Sequence, residues 1–270
     1  MKTGVSTASL FGRTYNEEAL PLLNDLGVKH AEVFLTTYSE YEPNYVEKLR
    51  ALKGEICVNS VHILNTQFEP QLFNTIHPRV KADAYALLEK TLNAAVTLGA
   101  PYYTFHGTAR IKRASRSGER DDFPCMIKAF KEISAFCQKH GVALCLENVE
   151  WATYNRVGVF EILAREIEEL RGVLDIKQAR ISGYSYKEYL KEMGKKIAYV
   201  HVSDVDERGK MCLPGQGSFD FEELVLRLKD VQFDGALLVE AYQNDYKTPK
   251  DLKIACDYLN EILYKHDCLK

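Results

Sequence analysis

Short apolar segments rich in β-branched residues alternate with helical segments eight times along this 270-residue chain. The apolar segments are predicted to be strands, and they occupy residues 2–7, 28–35, 56–64, 101–107, 142–147, 173–176, 197–202 and 235–240. The segments between them carry apolar residues at helical spacing, as Leu88, Leu92 and Ala95 do within 79–98. Alternation of this kind predicts a parallel sheet covered by helices.

The number of strand–helix units favours a closed (β/α)8 barrel over an open, doubly wound sheet. A barrel of this type typically takes about 250 residues, and no linker, repeat or shift in composition divides the chain. The first strand is not followed by G-x-G-x-x-G, the glycine pattern of open sheets that bind dinucleotides. We therefore predict an α/β fold, a single TIM-barrel domain over residues 1–270.

The composition of the chain limits the kinds of partner and the cellular environment that we expect. The net charge of −3 gives no electrostatic case for binding nucleic acid. No apolar run approaches the ~20 residues of a membrane span, and the N-terminal residues lack the apolar core of a signal peptide. The seven cysteines form no C-x-x-C pair and fall mostly inside apolar runs, so we expect reduced thiols in a cytoplasmic protein.

Polar residues close the last four predicted strands. Glu147, Asp175, His201 and Glu240 lie at or next to the C-terminal ends of strands five to eight. In a barrel these ends share one face, which is the face that carries the active site. Three carboxylates can converge there only with a cation between them. We therefore predict that these four residues are the ligands of one divalent metal ion.

The ligand types suggest both the metal and the chemistry. Carboxylate oxygens with one imidazole favour Mn²⁺ or Mg²⁺, with Zn²⁺ and Co²⁺ as alternatives. A cation that binds a hydroxyl and a carbonyl oxygen of the substrate stabilises the enediolate that forms when the C–H between them loses its proton. Two carboxylates on opposite sides of the cation would serve as base and acid.

Other polar and aromatic residues are candidates for binding the substrate. His62 and His106 close strands three and four, although a histidine at a strand end is as often a satisfied core group. Trp151, the only tryptophan, is either a platform for the apolar face of a sugar or ordinary packing. Arg208 follows strand seven in the chain and is a further candidate.

Two long loops follow strands three and four, at residues 65–78 and 108–122. Loops of this length are uncommon in compact domains unless they are functional or disordered. Because loops that follow strands belong to the active-site face, we expect both to overhang the site. Glu32, inside the second strand, is expected to pair with a neighbour in the barrel.

Five motifs resemble the xylose isomerase-like TIM barrels, a family also described as sugar phosphate isomerases/epimerases or AP endonuclease family 2. The motifs are Leu146-Glu-Asn-Val149, Leu174-Asp-Ile-Lys-Gln178, His201-Val-Ser-Asp204, Leu213-Pro-Gly-Gln-Gly217 and Leu238-Val-Glu240. The resemblance covers nearly the whole chain. It implies the metal ligands of the family's ketose 3-epimerases at Glu147, Asp175, His201 and Glu240. It also implies that Glu147 and Glu240 are the acid/base pair.

The sequence departs from two branches of that family. The DNA-repair branch has a further histidine where Gln178 stands, and an Asp-x-His motif in a loop that here reads Gly-Lys-Met-Cys-Leu over 209–213. These differences disfavour a three-metal nuclease. Many sugar epimerases also carry a substrate-facing histidine near Gln178, so we expect Gln178 to contact the substrate in a different manner.

The predicted function is a divalent-metal-dependent isomerase or epimerase of a sugar, sugar phosphate or related polyol. A lyase or dehydratase acting on a keto-sugar or polyol is the alternative, because it begins with the same proton abstraction. An abasic-site endonuclease and a barrel that binds a small molecule without turnover are less favoured. The sequence leaves open the particular carbohydrate, the native metal and whether the chain forms a homo-oligomer.

Overall fold

Eight parallel strands close into a barrel in the computed structural model of the protein, which describes residues 1–64, 68–109 and 123–269. The strands of the described residues are β1 (Lys2–Ser6), β2 (His30–Leu35), β3 (Cys57–Ile63), β4 (Tyr102–Phe105), β5 (Ala143–Glu147), β6 (Arg171–Asp175), β7 (Ile197–Val202), β8 (Asp204–Val205), β9 (Met211–Cys212) and β10 (Ala236–Val239). All but β8 and β9 follow one another around the barrel in chain order, and β10 pairs with β1 to close it. The predicted (β/α)8 architecture is confirmed.

Helices surround the barrel. They are α1 (Asn16–Asp25), α2 (Pro43–Leu52), α3 (Pro78–Leu98), α4 (Phe123–Lys139), α5 (Val159–Glu166), α6 (Ile176–Ile181), α7 (Tyr186–Met193), α8 (Phe221–Asp230) and α9 (Pro249–Lys265). The longest, α3, buries Leu88, Leu92 and Ala95 and ends at Gly99, whose left-handed φ of 75° suits glycine. In the part of the chain that the structure describes, no helix has the length and apolar character needed to cross a bilayer.

The alternation of side chains along the strands decides which residues face the interior of the barrel. On β7, Val200 and Val202 belong to the large apolar core, whereas Tyr199 belongs to a separate cluster inside the barrel. Because successive side chains on a strand point to opposite faces, His201 shares the inward face of Tyr199. The same rule places Glu147 above Cys145 on β5. The predicted site residues Glu147 and His201 therefore lie in the top layer of the barrel interior.

The structure differs from the predicted elements around β6. Helix α5 covers only Val159–Glu166 of the segment between the fifth and sixth predicted strands, and β6 begins at Arg171, two residues before the predicted start at 173. Ile176, predicted to end the strand, instead begins α6, because the Asp175 carboxylate accepts a hydrogen bond from Gln178 N at 2.8 Å and caps that helix. The hairpin of β8 and β9 was not predicted.

The two long loops have different outcomes. In the first, residues Glu69–Phe73 form a short 3-10 helix, and Phe68 and Leu72 are buried in the main core. This part is thus a packed element of the barrel top and not a detached lid. Residues 65–67 and 110–122 lie outside the described residues, so the lid role predicted for the second loop stays a prediction.

Candidate active site

A cavity of about 270 Å³ opens at the C-terminal ends of the barrel strands. Glu147, Asp175 and Glu240 line it, whereas His201 is buried beneath them. A neighbouring cavity of about 340 Å³ lies beside the ends of β1 and β2 and is lined by none of the four predicted ligands. The smaller cavity is therefore the one that contains the predicted chemistry.

His201 lies in contact with two of the other predicted ligands. Its Nδ1 lies 2.8 Å from Glu147 Oε1 and 3.0 Å from Glu240 Oε2. Donor atoms of Glu147, Asp175 and His201 lie within 4.8 Å of one another, and His201 and Glu240 belong to a second such group with Glu32 and His62. The structure thus brings the four residues to one end of the barrel as two overlapping groups that share His201.

The donor set fits a divalent cation. Glu240 Oε2 is buried and has no hydrogen-bond partner among the described residues, because its approach to His201 Nδ1 lacks hydrogen-bond geometry. Buried carboxylates are costly unless they are paired, hydrogen-bonded or bound to a metal. Carboxylate oxygens beside an imidazole nitrogen are ligands of Mn²⁺, Mg²⁺ and Zn²⁺ in proteins.

The close charges shift the pKa values of these groups in opposite directions. Burial raises the pKa of Asp175 to about 6, Lys177 opposes the rise, and the charges of Glu147 and Glu240 add to it. Burial alone would raise the pKa of Glu147, but His201 and His106 hold it below its usual value. Burial would lower the pKa of His201, but the carboxylates of Glu240, Glu32 and Glu147 raise it well above its usual value.

Glu32 supports the site from the interior of the barrel. It accepts hydrogen bonds from three hydroxyls, those of Ser6, Ser60 and Thr104, at 2.9, 2.7 and 2.6 Å. One of its oxygens, Oε1, lies 3.2 Å from His62 Nδ1 and 3.0 Å from His201 Nε2. Burial would raise the pKa of Glu32, but the two histidines hold it well below its usual value. The pairing predicted for Glu32 is therefore made with both histidines.

A second buried carboxylate, Glu69, supports His106. The two Glu69 oxygens accept hydrogen bonds from the Tyr103 hydroxyl and from the backbone N–H groups of His106 and Gly107. His106 Nδ1 lies 3.3 Å from Glu69 Oε2, and its Nε2 lies 3.1 Å from Glu147 Oε2. Burial lowers the pKa of His106, but Glu69 and Glu147 outweigh it and raise the pKa to about 10. Sequence reasoning missed Glu69, which lies in the loop after β3 and not at a strand end.

The predicted substrate-binding residues separate into two places. His62, His106, Trp151 and Gln178 line the same cavity as the predicted ligands. The ring of Trp151 is 42% exposed and its centroid lies 5.4 Å from that of His106. Arg208 is exposed and lines a separate shallow cavity with Asp206, Glu207 and 216–218. The structure does not bring Arg208 to the cavity that holds the other candidates.

Sequence reasoning also missed Lys177, a lysine buried at the site. It lies two residues after Asp175, and its Nζ is 4.0 Å from Asp175 Oδ2 and 3.9 Å from Glu240 Oε1. Burial would lower the pKa of Lys177, but these carboxylates raise it above its usual value. The short helix α6, which begins after Asp175, was not predicted from the sequence. Because Asp175 caps this helix, Lys177 lies in its first turn, beside the cap.

Comparisons with known proteins agree with the fold. Solved structures similar to this chain include a D-tagatose 3-epimerase-like protein (18% identity, TM-score 0.80, 99% of this chain and 98% of the other). They also include the D-psicose 3-epimerase of Clostridium cellulolyticum H10 (17%, 0.78, 97% and 99%) and the IolI protein with a bound zinc atom (18%, 0.76, 98% and 99%). At these identities the similarity shows the fold alone. No curated protein matches the sequence.

The sequence itself matches the model of one protein family. The profile of the xylose isomerase-like TIM barrels matches residues 20–262, from within α1 to within α9. That range contains seven of the eight barrel strands and all four predicted ligands. The chain therefore belongs to the xylose isomerase-like TIM barrel family.

Proposed function

We propose that this protein is a divalent-metal-dependent isomerase or epimerase of a sugar, sugar phosphate or related polyol. The observation that carries the proposal is the approach of the Glu147 and Glu240 carboxylates to one nitrogen of His201, beside Asp175, at the mouth of the barrel. Sugar 3-epimerases among the similar structures support it.

Glu147, Asp175, His201 and Glu240 would hold the cation. A divalent cation there supplies positive charge beside two substrate oxygens, which makes the hydrogen on the carbon between them more acidic. Mn²⁺ or Mg²⁺ suits three carboxylates with one imidazole, and Zn²⁺ and Co²⁺ are the alternatives. The zinc atom in the IolI structure supports a cation of this charge in such a barrel.

The two glutamates would move the proton. Glu240 is the better placed to take it from carbon, because its side chain is 14% exposed and that of Glu147 is 3% exposed. Glu147 would return a proton to the other face of the same carbon, and His106 Nε2, 3.1 Å from Glu147 Oε2, would orient it. General acid–base catalysis of this kind contributes about 10²–10⁴-fold to a rate.

The rest of the cavity would bind one sugar unit. Its volume of about 270 Å³ is near the lower end of the range for small-molecule sites. His62 and His106 present ring nitrogens towards each other, 3.0 Å apart, and either can bind a hydroxyl. Trp151 offers an aromatic face for the apolar side of the sugar, and Gln178 an amide for a hydroxyl.

A lyase or dehydratase using the same site is the second candidate. The similar structures include AsbF, described as a probable 3-DHS dehydratase, at 14% identity and a TM-score of 0.73. Both reactions begin when a carboxylate takes a proton from carbon. They differ in whether that carbon is reprotonated or a neighbouring oxygen leaves.

The test is metal analysis followed by a panel of ketoses, sugar phosphates and polyols in D₂O. We expect about one divalent ion per chain and deuterium incorporation into at least one ketose, lost on chelation and restored by Mn²⁺. Release of water or an alcohol with loss of a C–O bond would favour the lyase. Three ions per chain with cleavage of abasic DNA, or no bound ion at all, would overturn the proposal.

A further inference from the structure

Lys177 lies at the site without lining the cavity. Its side chain is 3% exposed, and its Nζ lies 4.3 Å from the centre of the Tyr242 ring. Tyr242 lines the cavity together with Asp175 and Glu240, whereas Lys177 is not among the lining residues. Any influence of Lys177 on a bound molecule must therefore act through these neighbours.

The ammonium group lies between two of the predicted ligands without binding either. The distances of 4.0 Å to Asp175 Oδ2 and 3.9 Å to Glu240 Oε1 exceed those of hydrogen bonds. Their oxygens thus keep lone pairs for another cation, while the charge of Lys177 acts on both through a buried, poorly screened space.

The charges around the site explain why a lysine is buried here. When all three are ionised, the predicted ligand carboxylates of Glu147, Asp175 and Glu240 have a summed charge of −3. A divalent cation neutralises two of these charges, and a lysine ammonium, charged at neutral pH, neutralises the third. A buried charge without a partner would be costly.

We propose that Lys177 is a positioning residue that acts as a fixed counter-charge: it makes the donor set neutral when a divalent cation is bound. The inference rests on the proposed function for the identity of the ligand set. Lys177 repels the cation and so weakens its binding, while it removes the surplus negative charge that would oppose negative charge developing on the substrate. Lys177 therefore lowers the affinity for the metal and raises the rate of turnover.

Two opposite effects follow for Lys177→Met, which keeps most of the length of the side chain and removes its charge. The affinity for Mn²⁺ should rise by about 10-fold, because a nearby like charge in a site of reduced dielectric has been removed. Turnover should fall by about 10-fold or more, because surplus negative charge opposes the transition state. A purely structural role for Lys177 would weaken both.

The experiment is calorimetric titration of the metal-free full chain with Mn²⁺ and with Tb³⁺. Lys177→Met should bind both more tightly than the wild type and should gain more for Tb³⁺, since the third positive charge takes the place of the lysine. Lys177→Gln should show the same gains in affinity, and it replaces Lys177→Met in the test if that variant does not fold. Lys187→Met is the matched control, because Lys187 pairs with Glu223 on the outer surface, 2.6 Å away; its affinities should equal the wild type's.

The outcomes separate this inference from the proposed function. Unchanged or weaker binding of both ions by folded Lys177→Met and Lys177→Gln would overturn the counter-charge. Equal gains for Mn²⁺ and Tb³⁺ would also contradict it. A wild type that binds Mn²⁺ and epimerises a ketose while these variants bind no more tightly would leave the proposed function intact. A wild type that binds no divalent ion would overturn the proposed function first.

Discussion

Glu32 lies beside the nitrogen of His201 that faces away from Glu147 and Glu240. Glu32 Oε1 approaches His201 Nε2 from inside the barrel, which leaves Nδ1 towards Glu147 and Glu240. A carboxylate that holds the far nitrogen of a ligating histidine fixes its ring orientation and raises its basicity. Three hydroxyls hold Glu32 itself in place beneath His201, so we expect the negative charge of Glu32 to favour this orientation of the ring.

Replacing Glu32 with Gln should weaken metal binding without touching a ligand. The amide keeps the size of the side chain but loses the charge that pairs with His62 and His201, so we expect a loss of about 3 kcal/mol of stability. Metal affinity should fall about 10–100-fold. Chemical unfolding and Mn²⁺ titration would measure the two effects. An affinity equal to that of the wild type would show that Glu32 serves packing alone.

The predicted ligands should divide into two classes on substitution. Glu147→Gln and Glu240→Gln keep an oxygen for the metal and should retain much of it while turnover falls about 10²–10⁴-fold. Asp175→Ala and His201→Ala should lose metal and activity together, with partial rescue by excess Mn²⁺. Metal content and the rate of deuterium incorporation would be compared for each variant. A Gln variant that exchanges at the wild-type rate would show that its glutamate is only a ligand.

At the residue scale, the sequence predicted positions at strand ends and missed those placed by tertiary packing. Glu147, His201 and Glu240 follow apolar runs, so alternation along a strand suffices to place them. Glu69 reaches the site only because its loop folds back onto β4, and no local pattern encodes that. Arg208 is the reverse case: it follows β7 in the chain, but the β8–β9 hairpin carries it to the surface.

At the scale of elements, α6 ties one predicted ligand to the local fold. Asp175 Oδ1 caps α6 at Gln178 N, while Oδ2 faces Lys177. A carboxylate at a strand end can cap a helix or bind a metal, and the two oxygens of Asp175 allow both. The geometry of the cap fixes the side chain before any ligand arrives, which reduces the cost of ordering it on binding.

Asp175→Asn and Asp175→Ala should therefore separate the two roles. Asparagine caps helices as well as aspartate does, so Asp175→Asn should keep the stability contributed by the cap, whereas Asp175→Ala should lose about 1 kcal/mol of it. Asp175→Ala should bind Mn²⁺ much more weakly, whereas Asp175→Asn should lose less affinity because its amide keeps an oxygen for the metal. Thermal unfolding of the metal-free proteins would compare the caps. Equal stability of the two variants would contradict the capping role.

The loop that carries Glu69 should behave as a structural element. Its carboxylate binds the backbone at the end of β4 and the Tyr103 hydroxyl, all in buried surroundings. Glu69→Ala should leave these donors unsatisfied and cost about 3 kcal/mol of stability. Glu132→Ala is a control, because Glu132 pairs with Lys81 on the surface, and should change stability by less than about 1 kcal/mol. Similar small losses for both variants would show that Glu69 contributes little.

At the scale of the whole molecule, the barrel was predictable because its signal repeats. Eight alternations of apolar strands and amphipathic helices agree with one another, so an error in one element does not change the fold. The boundaries around β6 were less predictable, since Ile176 directly follows Asp175 and its apolar side chain suits the end of a strand as well as the start of a helix. The shape of the cavity depends on side chains from many elements and could not be read from any one of them.

The fold should survive removal of the metal. The apolar core lies between the strands and the surrounding helices, while the predicted ligands form only the top layer inside the barrel. His106 and Lys177 lie close to the predicted ligand carboxylates and partly compensate their charge when no cation is bound. Chelation should therefore leave the secondary structure unchanged and lower the thermal stability.

Restoring Mn²⁺ to about 100 times its Kd should add about 2.7 kcal/mol of stability. Circular dichroism and calorimetry with and without chelator would measure this, and His201→Ala should show no such gain. Collapse of the helical signal on chelation would mean that the cation is part of the fold and not only of the site.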